Sequence, residues 1–406
     1  MSHADPHVTA LPGGSAVEVF RAFLKLGLTA FGGPIAHIGY LRAEFVERRG
    51  WLDEARFAQL LAVCQFLPGP ASSQMGFAIG LFRAGWRGAL AAFVAFTLPS
   101  ALLMSGAAAL VPRLGDGAGA AALHGLKLVA VVVVAHALAG MVRRLTPDLP
   151  RAAIAAVALA LILAGTGVWL QLAAIALGGL LGIRLCRGVR MPAAARFPVR
   201  HGGVAAAACM VLFLAGLGAA LLLPSAAAPS AVGVAAAFYE AGALVFGGGH
   251  VVLPLLQHSV VDPGWVDPDT FLAGYGAAQA VPGPMFSLAA FLGADIPLGM
   301  PAMAGAAIAL VAVFLPGFLL LLAVLPVWAR LTRHRLAAGA VAGANAAVVG
   351  LLAAAFLDPV WSQGVRGPVD LVIAAVGFAL LVFARVSALW AVLWCVAAAV
   401  TTALLA

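Results

Sequence analysis

The chain has 406 residues, of which 64% are hydrophobic and only 9% charged, with a formal net charge of +8. Soluble domains carry about a quarter charged residues, so this balance excludes an ordinary soluble protein and points to a chain that crosses a membrane repeatedly. No basic run interleaves aromatics as nucleic-acid binding would need, and the four scattered cysteines form no CxxC pair, which argues against a dithiol or cysteine-built metal centre.

In chain order, residues 1–15 form a tail that lacks the basic start and short apolar core of a cleaved signal peptide, so the first apolar stretch is expected to stay as an anchor. An apolar segment at 17–40 is interrupted at Phe31-Gly32-Gly33-Pro34. A polar loop at 41–56 holds Arg42, Arg48, Arg49 and Arg56, and a segment at 57–82 is interrupted at Pro68-Gly69-Pro70. Plainer spans are predicted at 88–111, 120–141, 152–163 and 168–183. The loop at 184–201 carries Arg184, Arg187, Arg190, Arg196 and Arg200 with no acid, and a lone helix is predicted at 204–223. Further spans are predicted at 234–257, 271–292, 300–327, 336–356, 371–383 and 388–405.

The interruptions occur twice. Gln65-Phe-Leu-Pro68-Gly69-Pro70 returns as Gln279-Ala-Val-Pro282-Gly283-Pro284, at an offset of 214. Trp51 and Trp265 each stand 17 residues before the first proline of their motif, Phe57 matches Phe271, and Ser73 matches Ser287. Phe31-Gly32-Gly33 answers Phe246-Gly247-Gly248 at an offset of 215, Leu98-Pro99 answers Leu315-Pro316, and Gly125-x-Lys127 answers Gly343-x-Asn345. The chain therefore divides into the tail (1–15), a first repeat (16–183), a basic linker with an extra helix (184–232) and a second repeat (233–406).

An odd number of crossings between two copies inverts the second. Charge agrees, because the loop after Phe-Gly-Gly is arginine-rich in repeat 1, whereas its counterpart holds Asp262, Asp267 and Asp269 and no Lys or Arg. The expected fold class is an all-α polytopic membrane protein with two inverted repeats and broken helices, the architecture of many secondary transporters. If both broken elements are hairpins that enter and leave on one side, every basic loop (41–56, 83–87, 143–151, 184–200, 330–335) faces the cytoplasm. The alternative is a kinked crossing helix.

Irregular backbone at membrane depth survives where protein buries it or where it lines a wet cavity, so the four breaks are the candidate substrate site. Half-helices starting there aim N–H groups and partial positive charge inward. Ser72, Ser73 and Gln74 follow Pro68-Gly69-Pro70, and Ser287 follows Pro282-Gly283-Pro284. These donors, with the glycines Gly32, Gly33, Gly247 and Gly248, suit an oxyanion. The only two lysines, Lys25 and Lys127, both lie in apolar segments, where charge is costly and usually functional. Lys127 has Asn345 as its mate in repeat 2 and Lys25 has Glu240; snorkelling, or a structural Lys25–Glu240 pair, is the alternative. Two membrane cations favour a dianion. His37 and His250 sit just past the Phe-Gly-Gly breaks, where they or Glu240 could couple protons to transport. His124 and His136 are expected to be structural.

These motifs resemble the chromate ion transporter family in its full-length, two-domain form. Those carrying the resemblance are Phe31-Gly32-Gly33-Pro34-x-x-His37-Ile38, Glu44-x-Val46-x-Arg48-Arg49-x-Trp51-Leu52, Cys64-Gln65-x-Leu67-Pro68-Gly69-Pro70-x-Ser72-x-Gln74, Phe246-Gly247-Gly248-Gly249-His250-Val251-Val252-x-Pro254 and Gln279-Ala280-Val281-Pro282-Gly283-Pro284-x-Phe286. The resemblance implies export of chromate across the bacterial inner membrane, driven by the proton motive force and giving chromate resistance; some relatives are associated with sulfate. The expected partners are an oxyanion, protons and the lipid bilayer, with no cofactor or resident metal. Oligomeric state is left open, a homodimer included. A passive anion channel is the rival reading. An intramembrane enzyme is disfavoured, since there is no GxGxxG after a strand and no CxxC or HExxH, and no P-loop is present.

Overall fold

A computed structural model describes residues 13–114, 116–165, 167–189, 197, 202–223, 228–246, 249–328 and 335–405. Gly247, Gly248, the tail up to residue 12, residues 330–334 and the linker arginines Arg190, Arg196 and Arg200 lie outside the described residues. The first repeat is built from α1 (Ala16–Thr29), α2 (Gly33–Arg42), α3 (Glu54–Phe66), α4 (Ala71–Leu110), α5 (Ala118–Leu145), α6 (Leu149–Leu163) and α7 (Val168–Leu185). After α8 (Gly203–Leu222), the second comprises α9 (Ala231–Leu244), α10 (Val252–Leu256), α11 (Pro268–Ala278), α12 (Leu288–Asp295), α13 (Ala302–Val324), α14 (Arg335–Ala355), α15 (Pro368–Val382) and α16 (Ala388–Leu405). Every regular element among the described residues is helical, and six helices are long and apolar enough to cross a membrane. The protein is an all-α polytopic membrane protein.

Helix starts repeat as faithfully as helix breaks. Ser15 accepts from the Glu18 N–H (3.1 Å) at the head of α1, and Ser230 accepts from the Gly233 N–H (3.0 Å) at the head of α9. Asp53 accepts from the Arg56 N–H (2.7 Å) before α3, and Asp267 accepts from the Asp269 and Thr270 N–H groups (2.9 and 3.0 Å) before α11. Each such cap contributes about 1 kcal/mol.

Both broken elements of repeat 1 leave from and return to the same end of the molecule. α1 begins beside Arg83, since Gly14 N–H donates to Arg83 O (3.0 Å) and Glu18 pairs with the Arg83 guanidinium (3.1 Å). It runs inward to the break at Ala30, and α2 comes back. Phe45, just past α2, stacks on Phe23 with centroids 4.7 Å apart, and Trp51 lies 5.0 Å from the Arg83 guanidinium. α3 leaves from that loop towards Pro68-Gly69-Pro70, and the first arm of α4 returns to Arg83. At Ala84-Gly85 the dihedrals leave the helical region, with Gly85 at φ 64°, and the chain reverses. The two arms touch so closely that a Cβ on Gly80 would stand 2.4 Å from Gly88 O. Repeat 2 copies this: Trp265 packs against Gly233 at the head of α9, and a Cβ on Gly293 of α12 would stand 2.4 Å from Gly305 O of α13.

The later helices are exchanged between repeats. α5 packs on α15 and α16 of the second repeat, while α14 packs on α6 and α7 of the first. Without a hydrophobic drive between helices in lipid, close approach depends on small residues. Gly178 and Gly182 of α7 face Gly343 and Gly339 of α14 in antiparallel register, and a Cβ on Gly182 would stand 2.2 Å from Gly339 O. Gly125, the repeat mate of Gly343, meets α16 in the same way, 2.7 Å from Val396 Cα.

The charged loops separate along the long axis. Asp269 at the head of α11 pairs with Lys127 of α5 and with Arg366 (2.5 and 3.6 Å), and Asp370 pairs with His124 (2.8 Å). This acidic end gathers at the start of α5, which is about 42 Å long for its 28 residues. Arg83, the 41–56 loop and Phe197 of the linker, stacked on Phe82 at 5.8 Å, lie at the opposite, arginine end. The positive-inside rule predicts that the arginine end faces the cytoplasm. A membrane-impermeant maleimide should therefore label Asp262→Cys from outside intact cells and Arg48→Cys only in inverted vesicles. Labelling of both from one side would refute the inversion.

Candidate functional site

At mid-depth the four breaks meet in a crossed arrangement. The N–H of Gly69 donates to Val245 O (2.7 Å), immediately before the second Phe-Gly-Gly, and the N–H of Gly283 donates to Ala30 O (2.9 Å), immediately before the first. Each Pro-Gly-Pro turn thus satisfies the broken helix end of the other repeat, as buried backbone requires. Gly69 and Gly283 take φ of +119° and +103°, a region that L side chains avoid. Each glycine also lies against the long helix that follows the other repeat's hairpins. A Cβ on Gly69 would stand 3.0 Å from Gly317 Cα of α13, and one on Gly283 would stand 2.9 Å from Ser100 Oγ of α4. Gly317 and Ser100 are themselves repeat mates, each directly after a Leu-Pro pair.

Polar groups gather round these turns. Ser72, Ser73, Gln74 and Ser287 are at most 5% exposed, at the first turns after the two motifs. The Gln74 amide donates to Pro68 O and to Gly317 O, both at 2.9 Å, tying the first turn to the second repeat. His37 Nε2 donates to Ala30 O (3.1 Å), and His250 Nδ1 meets the Tyr275 hydroxyl at 2.8 Å. Ser73 Oγ, Gln74 Oε1, Thr97 Oγ1 and His37 Nδ1 are buried and make no hydrogen bond among the described residues. Thr97 and Ser100 escaped sequence analysis; the signal available was their place beside the duplicated Leu-Pro.

The charged candidates lie elsewhere. Lys127 is buried and reaches from α5 to Asp269, so a carboxylate already holds its ammonium. Its mate Asn345 has a buried side-chain oxygen without a hydrogen bond among the described residues. Lys25 is half exposed at the arginine end, 3.8 Å from Glu44, and does not meet Glu240. Glu44 also accepts from Arg49 (2.6 Å) and Arg48 (3.0 Å). Burial alone would raise this carboxyl, but the two guanidinium hydrogen bonds prevail and hold it below its ordinary value. Glu240 lines a cavity at the acidic end, away from the crossed turns.

The chromate transporter family model matches residues 17–183 and 232–401, so both halves of this crossed arrangement fall within it. The chain belongs to that family. A chromate transport protein of Pseudomonas aeruginosa is 31% identical over 372 residues, covering 90% of this chain and 86% of that protein. A probable chromate transport protein of Synechococcus elongatus is 28% identical over 87% of each chain, and a chromate transport protein of Cupriavidus metallidurans 29% identical over 84% of this chain and 81% of its own. No solved structure matches. The family assignment points to a transporter.

Proposed function

We propose that the protein exports chromate, a tetrahedral dianion, across the bacterial inner membrane, driven by the proton motive force, and so confers chromate resistance. The observation that carries this reading is the crossed pair of Pro-Gly-Pro turns, with the family assignment supplying the substrate. First-turn N–H groups at the head of α4, the hydroxyls of Ser73 and Thr97, and the counterpart turn at Ser287 are oxyanion donors gathered on the seam between the repeats. The oxygens of the dianion take the hydrogen bonds that Ser73 and Thr97 lack within the protein. Lys127 offsets charge along the route, and His37, His250 or Glu240 handles protons.

The described polar residues of the seam, Ser72, Ser73, Gln74, Thr97, Ser100 and Ser287, are all buried, which favours a carrier that opens to one face at a time over an open pore. Alternating access needs the Gly69–Val245 and Gly283–Ala30 hydrogen bonds to slide or exchange as the repeats rock against each other.

The test is chromate uptake into inverted membrane vesicles. We expect saturable uptake, abolished by an uncoupler and competed by sulfate, because shape and charge rather than the metal centre are what such donors read. Uptake that neither saturates nor responds to the uncoupler would convert the carrier into a channel. No uptake at all would remove chromate as substrate.

A further inference from the structure

At the acidic end, where α7 starts, α8 ends and α9 starts, a cavity of about 330 Å³ is lined by Glu240, His258, Ser259, Trp265, Trp169 and Leu222. His258 faces Glu240 from the segment after α10, and its Nδ1 is bonded to Asp262 Oδ2 at 2.6 Å. Among the described residues no other titratable group faces Glu240: α10 and α13, packed on the remaining sides of α9, carry no titratable side chain, and the single thiol of α8, Cys209, lies in the other half of that helix.

The repeat register gives this pair its meaning. Glu240 stands where repeat 1 has Lys25, at the Phe-Gly-Gly offset of 215, and His258 stands where repeat 1 has Glu44, at the tryptophan offset of 214. In repeat 1 these two positions form an ion pair, Lys25 to Glu44 at 3.8 Å. Repeat 2 reverses the polarity and replaces the fixed ammonium with a carboxylate facing an imidazole. At the Lys25/Glu240 position, the hairpin at the acidic end thus carries a carboxylate, whose charge a proton removes, where the other hairpin carries an ammonium, while the Glu44 carboxylate is held by Arg48 and Arg49. The cavity lies beside that position, at the same end of the molecule.

We infer that Glu240 and His258 form the proton-loading site of the carrier, filled from the acidic end. Hydronium in the cavity gives its proton to the Glu240 carboxylate, directly or through the Asp262–His258 pair, and leaves water behind. With the arginine end in the cytoplasm, this is the entry side that a proton-driven exporter requires. The inference rests on the proton-driven reading above and deepens it by naming the site and its side of access.

Two readouts on the full-length protein test it. In pH-jump infrared difference spectra of reconstituted protein, a protonated-carboxyl band should titrate, vanish in Glu240→Gln, and move its midpoint in His258→Asn, an imidazole being the group that changes charge between about pH 5 and 8. In proteoliposomes with a lumenal pH dye, chromate-driven proton movement should fall about tenfold or more in Glu240→Gln, the scale of ordinary linkage between sites, and recover in part in Glu240→Asp. A band that persists in Glu240→Gln, or proton movement at the wild-type rate, overturns the site. Chromate movement with no titrating band at Glu240 overturns the site and leaves the transport reading intact. A titrating band without any chromate movement supports the site and removes the transport reading instead.

Discussion

Alanine at Gly69 or Gly283 is expected to reduce chromate transport to background and to lower the melting temperature. Each glycine sits at a φ that costs an L-residue about 1–3 kcal/mol, and each would push a Cβ inside normal contact distance of a neighbour, adding about 1–3 kcal/mol of overpacking. The neighbours differ, and so should the rescue. The Gly283 Cβ would meet Ser100, whose side chain can be removed, so Ser100→Gly should return part of the stability lost in Gly283→Ala. The Gly69 Cβ would stand 2.8 Å from the Gln74 amide nitrogen and 3.0 Å from Gly317 Cα, and trimming Gln74 would remove its hydrogen bonds to Pro68 O and Gly317 O, so no comparable rescue is expected. Gly50→Ala is the control: its φ is +59° with open space around it, which predicts strain of about 1–2 kcal/mol and normal transport. Thermal melts in detergent with vesicle uptake decide this, and wild-type transport in both Gly69→Ala and Gly283→Ala would refute the role given to the crossed turns.

The sequence showed the repeat, the four breaks and the charge contrast between the 41–56 and 262–269 loops, because duplication writes the same backbone requirement twice. It could have shown more, since the Ser15/Ser230 and Asp53/Asp267 caps follow the same offsets. What it hid were contacts between residues far apart in the chain. That Gly69 bonds to Val245 rather than to its own repeat depends on how the two copies dock, and no local pattern encodes docking. The exchange of α5 and α14 between repeats is of the same kind, although the Gly178/Gly182 and Gly339/Gly343 spacings mark both partners of one seam. Charge was the least legible. Lys127 and Lys25 stood out as membrane lysines, but their carboxylate partners, Asp269 from the other repeat and Glu44 from a loop, were visible only once the chain had folded.

The Lys127–Asp269 pair separates a structural lysine from a transporting one. Lys127 is 6% exposed at its side chain and Asp269 52%, so the two removals are unequal. Asp269→Asn leaves a buried ammonium without its carboxylate. Full burial would put that at about 3–5 kcal/mol, and the exposed partner cuts it to about 1–3 kcal/mol. Lys127→Met leaves an exposed carboxylate that still has Arg366 at 3.6 Å, so its melting temperature should fall less. The double variant removes both charges and should recover most of the stability lost in Asp269→Asn. Transport then decides between the roles. If Lys127 only braces α5 against α11, the double variant transports as well as it folds. If the ammonium serves the dianion on its way through the seam, with Asp269 holding the place of the oxyanion between cycles, the double variant is stable and inactive. In that case Asp269→Asn, with its lysine unclaimed, should bind chromate more tightly than wild type and release it more slowly, lowering KM and kcat together. We expect this second outcome, and an unchanged KM in Asp269→Asn would return the pair to bracing alone.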